Sequence, residues 1–413
     1  MAIIDRARVH MPNGVPMAWM ASEYDQPVYI DYGQGPRFTD VDGFSYIDFN
    51  ASDISMFCGH AHPAIVAAVR AQVARSTQFL LPTEASVEVA EELARRYRVP
   101  QWQFTLSATQ ANTEAIRLAR AVTGREVVVL FEGHYHGHFE EGLVDLADGA
   151  AAPVQRGLSK GVTGRARIAQ FNDPALLREA LEPGDVALVL TEPAMTNNLH
   201  LLLPEPGWHR ALRELTREFG TLLAIDETHT HVVGPGGASG LWQLEPDIVT
   251  IGKAVAGGLP MGAYGVTGVL GEHLDAARNV ATGGTLFGNP LSATAAKAAL
   301  TDVLVPDAYA HASDLGSRLA DGIGQAISSA GLPWTVIRFG PRSGQWYGPM
   351  PRTGAEARAL TDKELTRLIR AWLGNRGVWE ALPGAGPTVT VPATGVDVDR
   401  YVNAYGELLA ELR

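Results

Sequence analysis

The chain has 413 residues, of which 46% are hydrophobic and 19% charged, and a formal net charge of −12. That length exceeds one hydrophobic core and points to a large domain with a smaller companion, while the acidic balance argues against nucleic acid or an anionic membrane as partner. The one cysteine, Cys58, excludes an intrachain disulfide, no apolar run is long enough to span a membrane, and MAIIDRARVHMPNG lacks a signal-peptide core, so a cytoplasmic location is expected.

In chain order, alternating residues at Val28-Tyr29-Ile30 and Arg37-Phe38-Thr39, a DVDG turn and Ser45-Tyr46-Ile47-Asp48 predict a small antiparallel meander. DVDG lacks the ligand spacing and closing Glu of a calcium loop and is read as a turn. Residues 62–76 and 84–98 carry helical periodicity. A short strand around Phe104 then leads through the turn Ser107-Ala108-Thr109 into a helix with apolar Ala115, Ile116, Leu118 and Ala119. Such a turn offers hydroxyls, free N–H groups and the positive end of a helix dipole to a phosphate; a plain N-cap is the alternative.

The strand at residues 126–131 delivers Tyr135 among His134, His136 and His138. No zinc motif accompanies the histidines and no metal is expected, whereas an aromatic at a strand end can lie on a cofactor ring. Residues 140–165, rich in Gly and Ala, read as a flexible loop near the site. The apolar run 186–190, ending in Thr191-Glu192-Pro193, and the amphipathic WHRALRELTREFG continue a strand–helix alternation. That alternation predicts an α/β fold with a mainly parallel sheet.

Two further apolar runs, Leu222-Leu223-Ala224-Ile225 and Ile248-Val249-Thr250-Ile251, end in Asp226 and Lys253. Groups just past the carboxyl ends of such strands share one rim, so Asp226 and Lys253 are expected together. An amine and a carboxylate there suit pyridoxal phosphate: the amine forms a Schiff base and the carboxylate keeps the ring nitrogen protonated. A surface lysine and a helix-capping aspartate are the ordinary alternative. Beyond them come glycine-rich turns, a helix from GGTLFGNPLSATAAKAAL, strand-like residues 334–337 and 388–391, and a last helix in DVDRYVNAYGELLAEL.

The segments DVDG with YIDF, GHAHP, SATQANTEAIRLAR, FEGHYHGH, TEP with Asn197, AIDET, PDIVTIGKAVAGGLPMGAYG and GGTLFGNP cover residues 10–410 in one order. In that order the chain resembles the class III aminotransferases of the pyridoxal-phosphate fold type I superfamily, most of all the glutamate-1-semialdehyde aminomutase branch. The resemblance implies residues 1–50 joining a small α+β domain, 51–305 forming the large cofactor-binding domain and 306–413 completing the small one. Lys253 would hold the cofactor and shuttle a proton, Asp226 would pair with the ring nitrogen, Tyr135 would stack on one ring face and Thr228 lie under the other. His136 keeps the family's Tyr-His-Gly, Ser107, Ala108 and Thr109 would wrap the phosphate, and Glu192 and Asn197 would sit near the cofactor's edge. Thr285 would reach the phosphate of a neighbouring subunit's cofactor, which implies a homodimer with shared active sites. The implied activity is ping-pong transfer of an amino group from an amino acid or amine to a keto acid or aldehyde; the alternative is an aminomutase or racemase of the same fold.

The chain also departs from the family pattern. Ala108 and Gln110 replace the usual Gly and Glu of the phosphate turn, and THTH with His229 and His231 follows Asp226-Glu227. These imidazoles either tune proton transfer beside the cofactor or turn away to satisfy loop carbonyls. The aminomutases' N-terminal substrate arginine is absent from NGVPMAWMASEY, which offers Trp19 and Met20, and Ser52-Asp53-Ile54 replaces small or aromatic residues. An apolar wall with one carboxylate favours a substrate whose far end is apolar or cationic. Arg338, Arg342 or Arg352, on a loop with Trp346 and Tyr347, could still anchor a carboxylate or else face solvent.

Overall fold

The computed structural model describes residues 3–21, 27–196, 200–277, 280–380 and 386–412. Its centre is a seven-stranded sheet in the spatial order Gln101–Thr105, Gly262–Val266, Ile248–Ile251, Leu222–Asp226, Val186–Thr191, Val127–Phe131 and Ala166–Ala169. The strands from Ile248–Ile251 to Ala166–Ala169 pair in parallel, while Gly262–Val266 runs antiparallel to both of its neighbours. Val127–Phe131 and Val186–Thr191 are buried along their whole length, which is why they read as unbroken apolar runs and not as alternation. Each such side chain contributes about 1.5–3 kcal/mol by leaving water.

Helices cover both faces of this sheet. Ala108–Thr123 buries Ala111, Ala115, Ile116, Leu118 and Ala119 against one face, and Pro174–Leu181 with Trp208–Glu218 buries Leu177, Leu181, Trp208 and Leu212 against the other. A second sheet joins the two ends of the chain: the meander Ile30–Gln34, Arg37–Asp40 and Ser45–Asp48 accepts Val378–Trp379 as a parallel fourth strand. Ile47 and Phe49 share a core with Leu319, Ile323, Tyr401 and Tyr405 of the long helices Pro306–Ala330 and Gly395–Glu411.

Three expectations need correction. Residues 388–391 form no strand; Thr388 makes only an isolated bridge to Arg342. The segment expected as a loop around Arg342 is the strand Arg342–Trp346, paired with Thr335–Phe339 and buried throughout, with Arg342 Nη2 donating to Thr196 O and Trp346 Nε1 to Leu201 O. Residues 140–165 are not a free loop but contain the hairpin Val144–Ala147 and Ala150–Pro153, pinned by buried Val144 and Val162. Among the described residues no helix is long and apolar enough to cross a membrane.

Candidate active site

A cavity of about 320 Å³ opens at the carboxyl rim of the large sheet. Asp226 ends one strand and Lys253 follows the adjacent one; Asp226 lies in register with Thr250, and Glu227 N–H donates to Thr250 O at 2.8 Å. Both side chains line the cavity, with Asp53, Ser107, Ala108, Thr109, Tyr135, His136, Thr228 and His229.

At one end is the start of the helix Ala108–Thr123. Ser107 caps it, its Oγ accepting from Gln110 N–H at 3.3 Å, and the Gln110 side-chain oxygen accepts from Leu106 N–H at 3.0 Å. The first amides of a helix have no intrahelical acceptor and face an anion naturally. Glycine is required beside this turn: at Gly137, φ is +106° and an added Cβ would stand 2.1 Å from Thr109 Oγ1. The departure at Ala108 is accommodated, since its Cβ lies only 2.9 Å from where a Cβ on Gly252 would be.

At the centre, Asp226 is 2% exposed. Its Oδ2 accepts from Asn112 Nδ2 at 2.8 Å and meets His136 Nδ1 at 2.8 Å, and its Oδ1 accepts from Thr228 N–H at 2.9 Å. Burial would raise the Asp226 carboxyl, but His136, Thr228 and Asn112 together hold it at about 2. Asn112, fully buried, also donates to His136 O at 2.9 Å and accepts from Thr250 Oγ1 at 2.6 Å. The sequence reading missed Asn112; its signal was a polar residue on the buried face of an otherwise apolar helix stripe. Tyr135 is half-buried, and burial followed by the charges of Asp53 and Asp226 pushes its hydroxyl above the ordinary range.

At the other end, Lys253 Nζ donates to Asp53 O at 3.0 Å and pairs with the Asp53 carboxylate. Burial opposes ionisation of Asp53, yet Lys253, His229 and Arg342 bring its carboxyl to about 2. Asp53 sits in a run of four left-handed residues, Ala51, Ser52, Asp53 and Ile54, with φ of 49, 47, 55 and 71°. Left-handed backbone costs an L-residue roughly 1–2 kcal/mol each. The turn is closed by Ile54 N–H donating to Asn50 O at 3.1 Å and Met56 N–H donating to Ala51 O at 2.9 Å.

Behind Asp53 lies a buried polar wall. His229 Nδ1 is 3.4 Å from Glu192 Oε2, and its Nε2 is 4.0 Å from Asp53 Oδ1. Glu192 accepts from Thr196 Oγ1, and Arg342 Nη2 donates to Thr196 O at 2.8 Å. Arg342 is 0% exposed, so the solvent-facing reading of this arginine is wrong; burial lowers its guanidinium to about 10 against the pull of Glu192 and Asp53. His231 does not line the cavity, and burial with the charges of His229, Arg96 and Lys253 lowers it to about 3.

Several expected residues are not brought to the cavity. Glu192 and Arg342 stand behind it, while Trp19 and Met20 lie on a surface turn, 41% and 39% exposed. Thr285 is also exposed, its carbonyl accepting from Gln78 Nε2 at 2.6 Å. Asn197 lies outside the described residues.

The lining of this cavity has the chemistry that a phosphorylated aldehyde cofactor needs. A helix start, an ionised buried carboxylate, a lysine amine and a buried Thr228 hydroxyl without a partner among the described residues all face one space. They fit such a group, with Ser107, Ala108 and Thr109 at its phosphate, Asp226 at its ring nitrogen and Lys253 at its aldehyde.

The family model for aminotransferase class-III matches residues 19–332. A glutamate-1-semialdehyde 2,1-aminomutase of Desulfitobacterium hafniense is 34% identical over 403 residues, 95% of this chain and 93% of that protein. The crystal structure of a glutamate-1-semialdehyde-aminomutase from Pseudomonas aeruginosa superposes with a TM-score of 0.95 at 36% identity, covering 100% of this chain and 94% of that one. A substituted form of that aminomutase was solved in complex with PMP. An omega-transaminase from Sphaerobacter thermophilus superposes with a TM-score of 0.92 at 28% identity, covering 99% and 96% of the two chains.

Proposed function

The chain belongs to the class-III aminotransferases, enzymes that use pyridoxal phosphate, and from that premise we propose that it moves an amino group between carbon atoms of small carbonyl compounds. The observation that carries this reading is the convergence of Lys253, ionised Asp226 and the Ser107–Thr109 helix start on one cavity.

Bound there, pyridoxal phosphate supplies an electron sink for the pair of electrons left when a proton leaves the amino-bearing carbon. The protein's residues do the rest. Asp226, held ionised by His136, Asn112 and Thr228, keeps a proton on the ring nitrogen and so keeps the sink effective. Lys253 Nζ, which would hold the group's aldehyde, would also take the proton from one carbon and return it to another. Tyr135 and Thr228 would hold the ring, and the amides of Ala108 and Thr109 would hold the phosphate.

Which carbon receives the amine separates two readings. Migration within one carbon skeleton, as in the aminomutases to which the chain is similar, has the stronger support. Transfer between two molecules, placed first on the sequence, is favoured by Asp53: a carboxylate at the reacting amine, with no arginine lining the cavity among the described residues, suits an amine donor with no acidic group near its reacting carbon. Exposed Thr285 fits a role toward a second copy, and the active form on this reading is a homodimer with shared sites. The test is turnover with one substrate alone. A mutase converts it completely without an added acceptor, whereas a transaminase stops after one cofactor equivalent until a keto acid or aldehyde is supplied.

A further inference from the structure

The left-handed turn at residues 51–54 has no account in the proposed reaction, although backbone of this kind persists only where its surroundings over-determine it and gathers at functional sites. Its effect is geometric. It turns the carbonyl oxygen and the carboxylate of one residue toward a single amine, so that Lys253 Nζ donates to both Asp53 O and Asp53 Oδ2. Lys253 is itself left-handed, with φ of 52°, so unusual backbone on both sides of the cavity serves one contact.

We propose that Asp53 is a positioning residue that holds the Lys253 ammonium whenever this lysine is not joined to the cofactor, and thereby governs how fast cofactor is captured and released. The proposal rests on Lys253 being the cofactor-binding lysine. Only the unprotonated amine can attack the cofactor's aldehyde carbon. In that step the ammonium first gives one proton to solvent; the carbon–nitrogen double bond then replaces the carbon–oxygen one, and the amine's two remaining hydrogens leave with the aldehyde oxygen as water. Held by a carbonyl and a carboxylate, Lys253 Nζ is fixed at one place in the cavity and must leave both acceptors before it can attack. When Lys253 leaves, the buried Arg342 remains as a positive neighbour of the Asp53 carboxylate, with His229 Nε2 4.0 Å from its Oδ1. The site is therefore reusable in each turnover.

The test uses protein stripped of cofactor and mixed with pyridoxal phosphate near neutral pH, with capture followed by absorbance. Asp53→Asn removes the charge while keeping a residue that tolerates left-handed backbone, and it is expected to capture cofactor about tenfold faster, the worth of one charge-assisted hydrogen bond. Asp53→Glu keeps the charge and is expected to stay within about threefold of the unsubstituted protein, allowing for its extra methylene. Asp53→Ser serves as a second charge-free variant if Asp53→Asn does not fold. Acetylation of Lys253 by acetic anhydride in the stripped protein, read by peptide mass, is expected to follow the same order without involving cofactor. Capture and acetylation at unchanged or lower rates in both charge-free variants would overturn the proposal. Failure of the unsubstituted protein to capture cofactor at all would instead remove the assignment of Lys253 and the inference with it.

Discussion

Lys253 and Asp226 divide the chemistry between a mobile proton carrier and a fixed charge, and their substitutions should fail differently. Lys253→Ala is expected to reduce turnover by at least about 10⁴-fold, since it removes both the covalent hold and the proton carrier, and steady-state assays check this. Asp226→Asn keeps the shape but removes the charge that protonates the ring nitrogen; a loss of about 10²-fold or more in kcat is expected, with cofactor still bound and its absorbance shifted. A near-native rate in either variant would contradict its assigned role. The pairing of these two residues was legible in the sequence because each closes an apolar run, and neighbouring parallel strands deliver their ends to one rim. The partner of Lys253 was not. Asp53 was read as a substrate contact, and nothing local announces that four ordinary residues will adopt left-handed backbone.

The helix Ala108–Thr123 does two jobs, offering its first turn to the phosphate and its buried face to the Asp226 network through Asn112. Asn112→Leu should cost about 1–3 kcal/mol in urea unfolding, because a buried carboxylate and the His136 carbonyl each lose a donor. The same variant should also lower kcat, whereas unchanged stability and rate would show the amide to be dispensable. Gly137→Ala should weaken cofactor affinity by about tenfold or more, since the new methyl must displace Thr109 from the phosphate turn, and equilibrium dialysis measures it. At this scale periodicity found the long elements well, including the meander, the rim strands and the last helix. It failed at Arg342–Trp346 because that strand is polar and its burial depends on Thr196 and Leu201, far away in sequence. It likewise missed Gly262–Val266, where small residues read as a turn, and Ala166–Ala169, an edge strand too short to show a period.

Across the whole molecule, buried histidines make stability depend on pH. Burial lowers His134 and His200 to about 4 and His231 to about 3. Their folded values lie below the unfolded value, so the unfolded chain takes up protons first as pH falls. Stability should therefore drop between about pH 6.5 and 4 by about 1.4 kcal/mol per pH unit for each histidine. Asp53 and Asp226, held at about 2, act in the same direction at lower pH: their contribution is present above the unfolded carboxylate value and lost as pH falls toward 2. Urea unfolding at pH 7 and pH 5 checks this, and His200→Gln should remove one histidine's share of the slope.

The central claim, that the chain binds pyridoxal phosphate through Lys253 and uses it to move amino groups, is tested most directly by the absorbance of the cofactor-loaded protein. A panel of amines and amino acids is added one at a time with no keto acceptor present. The account predicts that at least one converts the cofactor band to the amine form or is rearranged to product while the band persists, and that Lys253→Ala does neither. A protein that binds no cofactor, or whose band no amine perturbs, would contradict it.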